Sequence, residues 1–227
     1  MYSIKQKGMT LIELTVVLLI LVALAGLALP YVSGTSRKAL CDATDVSMMN
    51  IKQVIMQRYY LDTLGAFPVD KGNTDYSLHY LFSKGDGTGT DWSNFDLDSQ
   101  VGWNGPYLQN GMILDAINLG QLDSSFTNAG DGHVNRAFAE NDNIVLDAWG
   151  RPFVLQVDSV TSGACTNWGG NTTDVHCARL VSAGFGSGVG MGNGSIETLL
   201  TGTQANDDRI LYLNVPRPVG DSNRICD

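Results

Sequence analysis

The chain is 227 residues long, enough for one domain of ordinary size plus an appendage. Its 14 Lys and Arg stand against 23 Asp and Glu, a formal charge of −9, and that acidity argues against a nucleic-acid binder, which needs a basic face to meet phosphates. Asp supplies 20 of the 23 acids, with only Glu13, Glu140 and Glu197 beside it. Asp in the company of 26 Gly belongs to turns, caps and cation-binding loops, so most of the chain is expected to be non-helical.

A mean hydropathy close to zero is high for such a composition, and the excess apolarity sits in one place. Residues Met1–Gly8 are short and polar, with Lys5 and Lys7 positive. Met9–Val32 then carries a single charge, Glu13. As a helix this run reaches roughly 30 Å, one hydrocarbon thickness, and being apolar on every face it reads as a membrane span rather than a buried core helix. It is too long for the apolar part of an ordinary signal peptide, and helix-like sequence follows it. The basic residues ahead of it place the N-terminus in the cytoplasm and the remainder across the membrane. Glu13 is the anomaly: a carboxylate near mid-bilayer costs roughly 2.5–3.5 kcal/mol, less near an interface. It either snorkels to the headgroups or awaits a positive partner from another chain.

The stretch Lys7-Gly8-Met9-Thr10-Leu11-Ile12-Glu13-Leu14 resembles the signal of type IV pilins and pseudopilins, which carry a basic leader ending in Gly and a Glu at the fifth mature position. The resemblance implies cleavage after Gly8 by a prepilin peptidase, N-methylation of Met9, and retention of the apolar helix as a filament core. Met9 stands where Phe is usual in that family. Gly26 and Pro30 fall where the family's transmembrane helix has its weak points. A new α-amine on Met9 and the Glu13 carboxylate of a neighbouring copy would offset each other's burial and fix the axial register of a filament.

Residues 36–64 contain neither Gly nor Pro and suit one unbroken helix, with Met48, Ile51, Ile55 and Tyr59 as a core-facing stripe and Gly65 as the stop. Pro30 removes a helix hydrogen bond and Gly26 lowers helix preference. Beyond Leu64 the texture changes to short apolar runs between Gly, Asp, Asn and Ser. Ile144–Leu146, Phe153–Asp158, Arg179–Ser182 and Ile210–Asn214 are candidate strands of a modest antiparallel sheet. Leu78–Phe82 and Met112–Leu119 read as short helices or irregular packing segments. The expected class is α+β: a leader (1–8), a long helix (9–64, with 9–32 in the membrane) and a head (65–227).

Three further stretches are similar to the major (G-type) pseudopilin of type II secretion: Tyr59-Tyr60-Leu61-Asp62 with Gly65-Ala66-Phe67-Pro68, Gly102-Trp103-Asn104-Gly105-Pro106-Tyr107-Leu108, and Asp147-Ala148-Trp149-Gly150-Arg151-Pro152-Phe153. Leu180-Val181-Ser182-Ala183-Gly184 then leads a Gly-rich loop to Asp207-Asp208-Arg209-Ile210, in the order that family shows. Residues 109–143, 159–176 and 214–227 stand outside the resemblance as insertions or extensions. Read as plain chemistry, Trp103, Tyr107, Trp149 and Phe153 are core or turn-covering aromatics.

The family's calcium ion, held near the C-terminal loop, makes Asp207 and Asp208 the candidate ligands here, since Ca²⁺ takes hard oxygen donors. The early loop reads Phe185-Gly186-Ser187-Gly188 where an acid is usual, and Glu197 is the one carboxylate inside it. The alternative is a loop closed by hydrogen bonds alone. Cys41, Cys165, Cys177 and Cys226 all follow the membrane segment, and an even count in an oxidising periplasm implies two disulfides. Of three connectivities, Cys165–Cys177 with Cys41–Cys226 is the expected one. A metal site on Cys177 and His176 lacks a paired CxxC. Asp86, Asp91, Asp96 and Asp98 miss the EF-hand spacing and read as a surface loop. His79, His133 and His176 are scattered, and neither a nucleophile arrangement nor a phosphate loop is evident, so no enzyme is expected.

The expected function is that of a pseudopilus subunit in type II secretion, single-pass in the inner membrane with its head in the periplasm. Its partners would be further copies of itself, the prepilin peptidase, the inner-membrane assembly platform and minor pseudopilins, with no nucleic acid. A type IV pilus subunit acting in adhesion, motility or DNA uptake is the alternative within the class. A monomeric membrane-anchored binding protein, using 109–143 and 159–176 as a ligand surface, is the alternative outside it.

Overall fold

The computed structural model describes residues 11–70, 75–85, 91–159, 175–200, 202 and 204–217, the side chains of 27–34, 158–159 and 175–176 excepted. Those residues make an α+β protein of one long helix and two small antiparallel sheets. The chain divides into two compact units, Met1–Ala39 and Leu40–Asp227.

Helix α1 runs over Leu11–Val54, 44 residues in all, and its residues up to Ala39 belong to the first unit. Its backbone stays helical through Gly26 and Pro30. Every described side chain from Leu11 to Gly26 is exposed. Leu11, Leu19 and Val22 are 81%, 72% and 71% exposed, so no helix face in this segment is buried. The apolar run Met9–Val32 extends past the described side chains at both ends, and among the described residues no helix is long and apolar enough to cross a membrane.

In the second unit the apolar stripe lies where its spacing predicts. Met48, Ile51, Ile55 and Tyr59 are buried, and Thr44 and Cys41 extend the same stripe by about one and two turns. The helix does not run regularly to residue 64. It widens into a π turn at Ile55–Tyr59, closes with the short α2 (Tyr60–Asp62) and stops at Leu64 and Gly65, both with positive φ. The widened turn carries the two best-buried members of the stripe, Ile55 and Tyr59, and the Tyr59 hydroxyl donates to the Val69 carbonyl at 3.2 Å. Packing of this ring on the chain that follows accounts for the departure from a uniform helix.

The larger sheet has β3 (Val154–Ser159), β4 (Val175–Ser182) and β5 (Arg209–Tyr212) in the order β3-β4-β5, all antiparallel. Val154 pairs with Val181 and Leu180 with Leu211. The expected Phe153–Asp158 and Arg179–Ser182 strands lie within or beside these bounds, β4 starting four residues earlier than expected. The smaller sheet pairs β1 (Met112–Ile113) with β2 (Asn143–Ile144). Met112–Leu119 therefore splits into a strand and the short helix α3 (Ala116–Leu119), which Asp115 caps through the Asn118 amide at 2.7 Å.

Alternation along the larger sheet buries both faces. Leu155, Val157, Ala178 and Leu180 join the α1 stripe in one core, while Val154, Val181, Ile210 and Tyr212 pack with Leu114, Phe126, Ile196 and Leu200 in a second. The 109–143 segment and the 184–208 loop thus form a lid on a sheet that would otherwise have a wet face.

Candidate functional site

The two stretches that resemble pilin-family turns are built as turns. Asp147 Oδ1 accepts from the Trp149 and Arg151 amides, each at 2.9 Å, and its Oδ2 accepts from Ser182 Oγ at 2.7 Å. Gly150, at φ +85°, takes the left-handed position, and the Ala148 amide donates to Thr44 Oγ1 on α1 at 3.2 Å. The Gly102–Leu108 stretch returns to the helix end. The Tyr107 hydroxyl donates to Asp62 Oδ2 at 3.0 Å, the Gly102 amide donates to the Asp62 carbonyl at 2.8 Å, and Trp103 meets Tyr107 edge-on at 5.9 Å. Burial pushes the Tyr107 and Tyr59 hydroxyls well above the ordinary phenol value.

Of the residues assigned to processing and assembly, Gly8 and Met9 lie outside the described residues. Glu13 sits exposed in the first turn of α1, where a carboxylate is favoured by the helix dipole. Gly26 has nothing within 4 Å of the position a Cβ would take. Pro30 is part of the α1 backbone, and its side chain is outside the described set.

Asp207 and Asp208, adjacent in sequence, do different things. Asp207 accepts from the Gly186 amide and borders an opening of about 320 Å³, lined also by Asp123, Ser187, Asn193, Ser195 and Glu197. Asp208 is fully buried, and its Oδ2 accepts from the Glu197 and Thr198 amides at 2.9 and 2.6 Å. Its Oδ1 is buried with no hydrogen-bond partner among the described residues, and burial pushes this carboxyl up to about 7.

Calcium would need about six to eight oxygens at roughly 2.3–2.6 Å. Among the described residues no three His, Cys, Asp or Glu side chains are placed to hold a metal ion. The Gly184 and Phe185 carbonyls at the loop entrance accept from Arg151 Nη2, the second at 3.2 Å. Among the described residues both carboxylates are thus engaged by backbone amides of the loop, Asp207 by Gly186 and Asp208 by Glu197 and Thr198.

Two arginines that the sequence reading passed over organise this region. Arg151 and Arg179 are both fully buried. Arg179 donates from Nε to Gln156 Oε1 at 2.8 Å, and from Nη1 and Nη2 to the Gly202 and Leu199 carbonyls, each at 3.0 Å. Gln156 in turn donates to the His133 and Thr198 carbonyls at 2.6 and 3.1 Å. Burial lowers the Arg151 guanidinium from its ordinary value, against the opposing pull of Asp147, Asp207 and Asp208. An Arg inside a strand or turn is normally a surface residue, so the one available signal was its position within the Asp147–Phe153 turn.

Cys41 and Cys177 are buried and disulfide-bonded. The expected pairing runs to Cys165 and Cys226, which lie outside the described residues.

No protein-family model, no curated protein and no solved structure matches this chain.

Proposed function

We propose that the chain is a filament-forming structural subunit of the pilin type. Within that class we infer a subunit of the periplasmic pseudopilus that drives type II secretion. The observation that carries the reading is the N-terminal part of α1, where the described side chains from Leu11 to Gly26 are exposed on all sides and almost all apolar, with Glu13 in the first turn. An apolar helix with no buried face of its own needs cover, first from lipid and then from the same helix of other copies. Glu13 is the charge that would set register among those copies, against the amine freed by cleavage after Gly8. The tight Asp147–Phe153 and Gly102–Leu108 turns supply rigidity and no reactive group, in keeping with a subunit that contributes packing while a cytoplasmic ATPase supplies the work.

The test is deletion of the gene in its host, with the culture-supernatant proteome and the surface fibres compared with the parent's. Loss of exported proteins with fibres intact is the expected result. Loss of fibres with an unchanged secretome would assign the chain to a type IV pilus instead. A protein isolated from membranes that still begins at Met1 would remove it from the filament class altogether.

A further inference from the structure

We propose that the Arg151 guanidinium is the resident cation of the 184–208 loop, closing it in place of a divalent metal ion. The side chain leaves the Asp147 turn fully buried and ends among the loop's oxygens, where Nη2 donates to the Gly184 and Phe185 carbonyls. The carboxylates that act on it come from three places: Asp147 on its own turn, and Asp207 and Asp208 at the far end of the loop. One cation thus donates to carbonyls at the start of the loop and lies within electrostatic reach of the carboxylates at its end, oxygens of the kind a calcium ion takes.

The backbone is shaped around the guanidinium. A Cβ on Gly194 would stand 1.8 Å from Nη1, and a Cβ on Gly186 would stand 2.5 Å from Nη1 and 2.5 Å from the Asn193 carbonyl. Gly186 is also at φ +52°. The two glycines mark the walls against which the planar fork lies, and no side chain fits at either. Arg179 repeats the arrangement further along, taking the Leu199 and Gly202 carbonyls. The loop is therefore held by guanidinium groups at two points: Arg179 spans two carbonyls with its two Nη atoms, whereas Arg151 makes both of its carbonyl bonds from Nη2.

The consequence is a loop indifferent to calcium. Full-length protein in detergent is to be melted with added CaCl₂, with EDTA and with neither, alongside R151Q and R151K. The wild-type midpoint is expected to be the same in all three conditions. R151Q should melt lower by on the order of 5 °C, and R151K should recover less than half of the loss, since Lys restores the charge without the planar group that packs against Gly186 and Gly194. A wild-type midpoint raised by calcium and lowered again by EDTA would overturn the proposal. So would an R151Q protein that melts with the wild type. Should R151Q fail to fold, the wild-type calcium and EDTA melts decide the matter alone. Neither measurement depends on whether the chain builds filaments, so this inference and the secretion reading can fail separately.

Discussion

Arg209 on β5 grips Asp45 on α1 with both sides of its fork: Nε donates to Oδ1 at 2.9 Å and Nη2 donates to Oδ2, across 164 positions of sequence. About two turns further along the helix, Lys52 Nζ donates to the Tyr212 carbonyl at 2.7 Å. The long helix is thus stitched to the last strand by polar contacts at both ends of that strand, in addition to the apolar stripe between them.

The Arg209 side chain is only 5% exposed while that of Asp45 is 45% exposed. Removing the carboxylate withdraws two charge-assisted bonds from a desolvated guanidinium, which is worth about 2 kcal/mol. Asp45→Ala is expected to lower the unfolding free energy by that amount, and Asp45→Asn by less because one acceptor survives. Urea unfolding of the full chain measures both. Equal midpoints for wild type and Asp45→Ala would show that the fork contributes nothing to holding helix and strand together.

Asp208 makes stability fall as the medium is brought from acid towards neutrality. An unfolded Asp titrates near 4, whereas burial raises this one to about 7 in the folded chain. Between those values the folded state binds more protons than the unfolded, so stability declines as pH rises through the window and levels off above it. Burial of Asp147 raises that carboxyl too and adds a slope of the same sign. Asp208→Asn retains an oxygen for the Glu197 and Thr198 amides and cannot ionise. It should flatten the decline between about pH 4 and 7 and unfold at higher denaturant than the wild type at pH 8. An unchanged slope in the variant would mean that other groups carry the titration.

Local chemistry was legible in advance and long-range chemistry was not. The Met48, Ile51, Ile55 and Tyr59 stripe follows from helical periodicity, and the turn at Gly150 from Asp, Gly and Pro within six residues. The strand positions followed from β-branched and aromatic runs to within a few residues. The burial of Arg151, Gln156 and Arg179 had no such signal, because each is enclosed by loop carbonyls far away in sequence, and a polar side chain in a strand ordinarily marks the wet face. In this sheet the wet face is covered by the 109–143 segment, whose own elements are only two to four residues long. Segments so short leave no periodicity to read. Nor does sequence show that, of the adjacent Asp207 and Asp208, the first borders the loop opening while the second is fully buried.

The cysteines give a prediction in covalent terms. Cys41 lies on the helix stripe and Cys177 on β4, both buried and both disulfide-bonded. Non-reducing peptide mapping is expected to recover Cys165–Cys177 and Cys41–Cys226 as the linked pairs. Closing the loop from Cys165 to Cys177 is worth roughly 3 kcal/mol in the chain-entropy model, so Cys165→Ser should cost about that much in a chemical unfolding experiment. A map that links Cys165 to Cys226 would place the C-terminus against the 159–176 segment and reject the expected arrangement.

Glu13 separates an anchor from an assembly device. If its carboxylate merely tolerates the interface by lying at the helix start, Glu13→Ala should leave every property of the protein intact or improve insertion, since a costly charge has been removed from an apolar segment. If it neutralises the amine of a neighbouring copy, the same variant should be inserted and cleaved normally but fail to enter filaments, because an amine buried without a counter-charge opposes packing. The second outcome is the expected one. Cleavage is read by the intact mass of the membrane-extracted protein and assembly by the yield of sheared filaments. Glu13→Gln is the sharper companion variant: it keeps the shape and the hydrogen-bonding capacity while abolishing the charge, and it should assemble no better than Glu13→Ala. Filaments at wild-type yield from Glu13→Gln would reduce Glu13 to a hydrogen-bonding or dipole-capping residue and remove charge pairing from the account of how subunits find their register.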